Sequence, residues 1–321
     1  MIVMKRRLYL PIRSSLRSAF RIWRAWGKAP GWYYQAVDRW GALAGESDPL
    51  PVTLRNGCRM LCDLTDHVER QIYFIGAYEP EVAFLLTRLL RPGMVMVDGG
   101  ANVGQHSLIA AKAVYPCGVV YSFEPVPSTF DKLRRNVGIN DLDNVQTEPA
   151  ALWKECTTVS LGLAAAQAGN AGAFGIEAVD AISQVEAAAT TLDSFVEALG
   201  GNVPPISLVK LDVEGAELPA LQGMVATIER DRPSLLVEIC RETTARLGYD
   251  VQAIWDLLVG GFGYDAWAVG TWTESTGSLH DLRNVEQQNV LFYDRRVVTI
   301  PVMPSDLKSL LRWVRGEWLT N

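Results

Sequence analysis

The chain has 321 residues, 49% of them hydrophobic, and a formal net charge of -6. That length and apolar content can bury a sizeable core and fit one large α/β domain with additions, so disorder is not the default. No apolar run approaches bilayer-spanning length, and the acidic body argues against nucleic-acid partners. The five cysteines, Cys58, Cys62, Cys117, Cys156 and Cys240, lack metal-ligand spacing, so no metal site is expected. With no compact apolar leader at the N-terminus, they favour a reducing, cytoplasmic setting.

Residues 1–50 read as a basic amphipathic arm and linker. Lys5, Arg6, Arg7, Arg13, Arg17, Arg21, Arg24 and Lys28 all precede the first acid, Asp38. Pro11 can open a helix that places Ile12, Leu16, Ala19, Phe20 and Trp23 on one face. Such a stripe either meets the inner face of an anionic membrane, through residues 1–28, or packs on the protein's own body. Residues 51–93 then hold a hairpin from Val52 to Cys62 on an Asn56-Gly57 turn, and helices near Asp66–Phe74 and Glu79–Leu90 stopped by Arg91-Pro92-Gly93.

Residues 94–300 alternate as a parallel α/β core. The spacing predicts strands at Met94–Val97, Val119–Glu124, Val145–Ala150, Ile206–Asp212 and Ser234–Ile239, with helices at Gln105–Ala113, Ser128–Asn140 and Gly215–Ile228. An Ala/Gly-rich insert, Leu161–Ala189, has little periodicity and reads as a lid or a plain surface loop. A helix near Val251–Val259 and a strand at Asn289–Tyr293 follow, and residues 301–321 carry a tail helix, near Ser305–Glu317.

Val97-Asp98-Gly99-Gly100-Ala101-Asn102-Val103-Gly104 is the most informative run, because it places a carboxylate and close-approach glycines where a strand becomes a helix. Asp98 would repel a pyrophosphate, and the spacing departs from that of a dinucleotide fold. A ligand with a cationic amino-acid end fits better, and S-adenosylmethionine (SAM) is one. Glu124 falls one helix and one strand later, where nucleotide folds place the acid that accepts both ribose hydroxyls. Asp212, Glu214 and Glu238 join Asp98 and Glu124 at strand ends, a gathering of carboxylates whose repulsion a cationic ligand relieves. Lys210 and Asp212 share one face of a buried strand, as a structural ion pair or as a positioned base with its partner. His106, at the start of the helix after the glycine turn, is a reserve base or a packing residue. Trp267 and Trp272 are either sugar-stacking or core aromatics.

The chain resembles the FkbM family of SAM-dependent methyltransferases. The resemblance runs from about Ile72 to Ile239 and is carried by Gly76-Ala77-Tyr78-Glu79-Pro80, the Asp98 run, Phe123-Glu124-Pro125, Asn136 with Asn140, Thr191-Leu192-Asp193, Lys210-Leu211-Asp212-Val213-Glu214-Gly215-Ala216-Glu217, Leu221-Gln222-Gly223 and Leu236-Val237-Glu238. Gly99 departs from the apolar residue usual there. The resemblance implies a class I methyltransferase fold, a Rossmann-like, mainly parallel seven-stranded sheet with helices on both faces. It also implies that SAM is held by Asp98, Gly100, Asn102, Gly104 and Glu124, and that a hydroxyl on a sugar, glycolipid or natural product is O-methylated. Asp212, Lys210, Glu214 and Glu238 are then the candidate catalytic residues, with Asp212 first as base. A non-catalytic SAM or nucleotide-binding module at a membrane, or a nicotinamide oxidoreductase, are the alternatives; Asp98 argues against the latter.

Overall fold

The computed structural model describes residues 49–164, 174–176, 181–200, 203–270 and 277–301, together with Val37. The arm and tail helix expected at the chain ends, and Trp272, lie outside them. The described chain forms two bodies that divide between Phe84 and Leu85.

In the first body, β1 (Leu50–Thr53) and β2 (Arg59–Cys62) form the expected antiparallel hairpin. Gly57 turns the chain at φ 85°, and Asn56 Oδ1 accepts the Cys58 N–H at 3.1 Å. Helix α1 (His67–Ile75) starts where the Asp66 carboxylate accepts the Glu69 N–H, and it stops at Gly76 in the left-handed conformation. Helix α2 (Pro80–Leu89) follows, carrying the division between the bodies.

The second body is built on an eight-stranded sheet. Its parallel centre comprises β3 (Val95–Gly99), β4 (Val119–Phe123), β5 (Val145–Glu148), β10 (Ile206–Leu211) and β11 (Ser234–Cys240). The antiparallel side comprises β12 (Asp265–Ala268), β13 (Gly277–Ser278) and β14 (Gln287–Tyr293), in the order β13-β12-β14-β11-β10-β3-β4-β5. Strand order reverses between β3 and β10, and this topological switch point is where α/β sheets take ligands. The fold is therefore the Rossmann-like class expected, extended by the two-residue β13.

Helices α3 (Gln105–Val114) and α4 (Pro127–Gly138) follow β3 and β4. Val97, Val209, Leu211, Leu235 and Val237 share a buried cluster with Leu221, Met224, Ile228 and Leu258 from the helical segments. Where one long helix was expected over Gly215–Ile228, there are two, α6 (Glu217–Gln222) and α7 (Val225–Asp231). The break falls at Gly223, where a side chain would place its Cβ 2.0 Å from the Trp153 carbonyl oxygen. Asp193, in α5 (Leu192–Ala198), caps the second piece by accepting N–H groups of Ala226 at 3.0 Å and Thr227 at 2.8 Å. Short α8 (Arg241–Arg246) follows β11, and α9 (Gln252–Trp255) continues as a wider π turn, Asp256–Gly261.

The main correction concerns the Ala/Gly-rich insert. It is neither a lid loop nor a plain surface loop over its described residues, which form a second, four-stranded sheet in the order β6-β9-β7-β8. Its strands are β6 (Ala150–Leu152), β7 (Thr157–Ala164), β8 (Phe174–Ile176) and β9 (Ala181–Thr190). The expected Val145–Ala150 strand breaks at Pro149, which has no N–H to give a ladder, and β6 leaves the main sheet to pair with β9. Val159, Leu161, Ile176, Ala187 and Ala189 bury a small core of their own with Val126 and Ala216.

Candidate active site

The ends of β3, β4, β10 and β11 place the expected carboxylates along one edge. In register, Lys210 lies beside Asp98, and Asp98 beside Ser122, so the three share one face of the sheet. All three are buried. Ser107, on α3, donates its hydroxyl to Asp98 Oδ2 at 2.5 Å and accepts the Ser122 hydroxyl at 2.9 Å. The other Asp98 oxygen, Oδ1, is buried without a hydrogen-bond partner. Burial pushes the Asp98 carboxyl up, against the lowering pull of Lys210 and Ser107.

The turn after β3 is set by left-handed backbone at Gly100 (φ 74°), Asn102 (φ 50°) and Gly104 (φ 91°). A Cβ on Gly100 would lie 1.8 Å from the Asp212 carbonyl oxygen, so only glycine lets the turn pass the end of β10. Gly104, left-handed, packs on α4, where a Cβ would lie 2.6 Å from Leu133 Cδ1. Asn136 braces the same turn by donating to the Val103 carbonyl at 2.9 Å, and Asn140 donates back to the Asn136 carbonyl at 2.6 Å. Glu124 is 5% exposed, accepting the Asn102 N–H at 3.0 Å through one oxygen and the Val126 N–H at 2.9 Å through the other. Its burial outweighs these bonds and raises its pKa from 4.5 to about 7.

On the other side of the switch point, Lys210 Nζ pairs with Asp212 Oδ2 at 2.9 Å, the lysine side chain 2% and the aspartate 22% exposed. Burial pushes the Asp212 carboxyl up, but Lys210, a hydrogen bond with Glu238 and nearby His106 together hold it below the usual carboxylate range. Glu238 accepts from Gln287 Nε2 at 3.0 Å. Lys210, Asp212 and Glu238 thus meet as one group. Glu214 follows in the next loop, at φ 52°. That loop is braced by Glu217, which accepts the Val213 and Gly215 N–H groups at 3.2 Å each and, being buried, has its pKa raised to about 7. Ser107, Glu217 and Gln287 were not singled out from sequence. Only Glu217 had a signal, as the last residue of the motif that opens at Lys210.

Gly100, Glu124, Pro125, Val126, Asp212 and Glu214 line a cleft together with Ala150, Ala151 and Leu152 of β6. Leu161, Phe174 and Ile176 of the second sheet supply an apolar wall. Among the described residues no group of His, Cys, Asp and Glu is placed to hold a metal ion, and no helix is long and apolar enough to cross a membrane.

Residues 98–266 match the model of the methyltransferase FkbM domain. The chain belongs to the FkbM methyltransferase family. Methyltransferase 1 of Beauveria bassiana (strain ARSEF 2860) is 26% identical over 161 residues, 45% of this chain and 64% of that protein. Hexuronic acid methyltransferase AglP of Haloferax volcanii is 30% identical over 151 residues, 47% of this chain and 58% of that protein. This chain thus spans less than two thirds of the length of these relatives. A crystal structure of methyltransferase FkbM from Methylobacillus flagellatus KT is 16% identical, with a TM-score of 0.41, and covers 70% of this chain and 54% of that one.

The residues present fit SAM. The buried, unpartnered Asp98 oxygen is an acceptor that a cationic amino group would satisfy, and Glu124, in the cleft lining, keeps a second lone pair on each oxygen for a diol.

Proposed function

We propose that the chain is a SAM-dependent O-methyltransferase acting on a hydroxyl of a sugar, glycolipid or related natural product. The observation that carries this reading is the Lys210–Asp212–Glu238 group, which ends at the cleft holding Gly100 and Glu124. Cofactor binding alone does not require a buried ammonium and two linked carboxylates there, and buried charge is retained only when it is paired or used.

When bound, SAM supplies a methyl carbon on positive sulfur; the C–S electron pair stays on sulfur, and one acceptor O–C bond replaces one C–S bond. Asp98 would hold the amino group, the Gly100–Gly104 turn the amino-acid end, and Glu124 the ribose. Asp212, part-exposed, orients the acceptor hydroxyl by accepting its hydrogen bond. Lys210 keeps Asp212 ionised, so Asp212 takes that proton as the O–C bond forms. Glu214 lines the cofactor cleft beside Gly100 and Glu124. The name of the Haloferax volcanii relative supports a sugar as the acceptor class.

Calorimetric titration with S-adenosylhomocysteine (SAH) tests the cofactor, with Asp98→Ala and NAD as controls. Binding to the wild type, lost in Asp98→Ala and absent for NAD, is expected. Methyl transfer to a glycoside hydroxyl, read as an O-methyl signal by NMR, tests the acceptor. Binding of NAD in place of SAH would overturn the reading.

A further inference from the structure

A second cleft opens at the same edge of the eight-stranded sheet, separated from the glycine turn by β10 and β11. It is lined by Ala268 at the end of β12, Ser278 in β13, His280 and Asn284 in the connection, and Gln287 and Gln288 at the start of β14. Gln287 is in register with Cys240, the last residue of β11, which fixes the cleft at the carboxyl end of the parallel strands. Its side chain ties the two clefts together: Gln287 donates to Glu238, Glu238 bonds Asp212, and Asp212 lines the cofactor cleft.

Gln288 is 9% exposed, and its Nε2 is buried with no acceptor. A buried amide donor left without an acceptor is unfavourable, and at the wall of a cleft it marks where a ligand oxygen completes it. Asp281 and Glu286 also line the cleft. The arginines beside them are engaged. Arg283 bonds Asp281 at 3.0 and 2.5 Å. Arg241 is held by Asp250 at 2.7 Å and by the Leu282 and Arg283 carbonyls at 3.0 Å, with Glu286 3.9 Å away. A ligand carboxylate would meet two acids and no uncommitted arginine or lysine among the lining residues.

We propose that this second cleft is the acceptor subsite, that it takes an uncharged, hydroxyl-rich ring such as a neutral hexopyranoside in preference to a uronate, and that Gln288 selects it. From the wall of this cleft Gln287 holds Glu238, the neighbour of Asp212. The inference rests on the methyl-transfer reading and adds to it the place and charge of the acceptor.

The test uses the full chain and two readouts. SAH titration reports the cofactor cleft. Initial rates with methyl β-D-glucopyranoside, methyl β-D-galactopyranoside, methyl α-D-mannopyranoside and the matching methyl glucuronide report the second. A neutral glycoside is expected to exceed the glucuronide by about tenfold or more in kcat/KM. Gln288→Leu should raise KM for that glycoside about tenfold, with kcat and SAH affinity within about twofold. Glu286→Lys, at an exposed position, should raise kcat/KM for the glucuronide about fivefold. A glucuronide used as well as the glucoside, an unchanged KM in Gln288→Leu, or SAH binding without methylation of any of the three neutral glycosides overturns the inference. Failure of the wild type to bind SAH overturns the methyl-transfer reading itself, and the inference with it.

Discussion

Lys210 and Asp212 point from one strand end into the same space, 2.9 Å apart, with the ammonium enclosed and the carboxylate turned toward the cleft. Asp98 lies in register beside Lys210 and Glu238 bonds Asp212, so the buried ammonium stands among three carboxylates. Lys210→Met removes that cation and leaves them to repel one another. Stability should fall by roughly 3–5 kcal/mol, the usual result of breaking a buried pair. The alkaline shift of the activity profile is the sharper readout, because Asp212 loses the group that lowers its pKa. Adding Asp212→Asn should recover part of the lost Tm while leaving activity low; a double variant no more stable than Lys210→Met would contradict the pairing.

Gly100 should tolerate no side chain. Gly100→Ala combines left-handed backbone with a Cβ 1.8 Å from a main-chain oxygen, so either the turn or the end of β10 must move. SAH affinity is expected to drop by about a hundredfold, with a stability loss of about 2–4 kcal/mol. Calorimetry and chemical unfolding report the two effects separately.

Glu124 makes the pH dependence specific. Its pKa is raised from 4.5 to about 7, so between those values the folded chain keeps a proton that the unfolded chain has released. Stability of the ligand-free protein therefore declines as pH rises through that window, by on the order of 3 kcal/mol from this group, and levels off above it. Glu124→Gln should flatten that part of the curve, leaving the contribution of Glu217, raised to the same range by burial. If the ionised carboxylate holds the ribose, SAH affinity should rise with pH up to about 7, by at most about tenfold per pH unit. Glu124→Gln should bind weakly and lose this slope.

Asp193 serves as the control. Its carboxylate caps α7 at Ala226 and Thr227, away from both clefts. Asp193→Ala should cost about 1–2 kcal/mol in urea unfolding and leave SAH affinity unchanged. A selective loss of affinity would instead give this residue a part in the site.

The central strands and the strand-end carboxylates were legible because both obey local rules. Buried parallel strands read as apolar runs, and Asp98, Glu124, Asp212 and Glu238 interrupt or end those runs where polarity has a cost. The second sheet was not legible. Ala187, Ala188 and Ala189 carry no contrast between inward and outward positions, and β7 pairs with β9 across a gap that periodicity does not see. Ser107 and Gln287 were missed for a related reason: their work is done through partners distant in sequence, Asp98 and Glu238. Conversely, Asp193 and Gly223 belonged to the family motif, and the structure gives them architectural duties, a helix cap and a close approach to Trp153.

At Pro149 the chain leaves the main sheet, and it comes back through Thr190, which lies in register with Leu152. Departure and return are therefore neighbours, so the excursion between them behaves as a cassette plugged into a fixed socket. Its length and composition can change without pulling on β5 or α5, and the wall it lends to the cleft through Leu161, Phe174 and Ile176 changes with it. That wall can thus be recut while Gly100, Glu124 and Asp212 stay where they are.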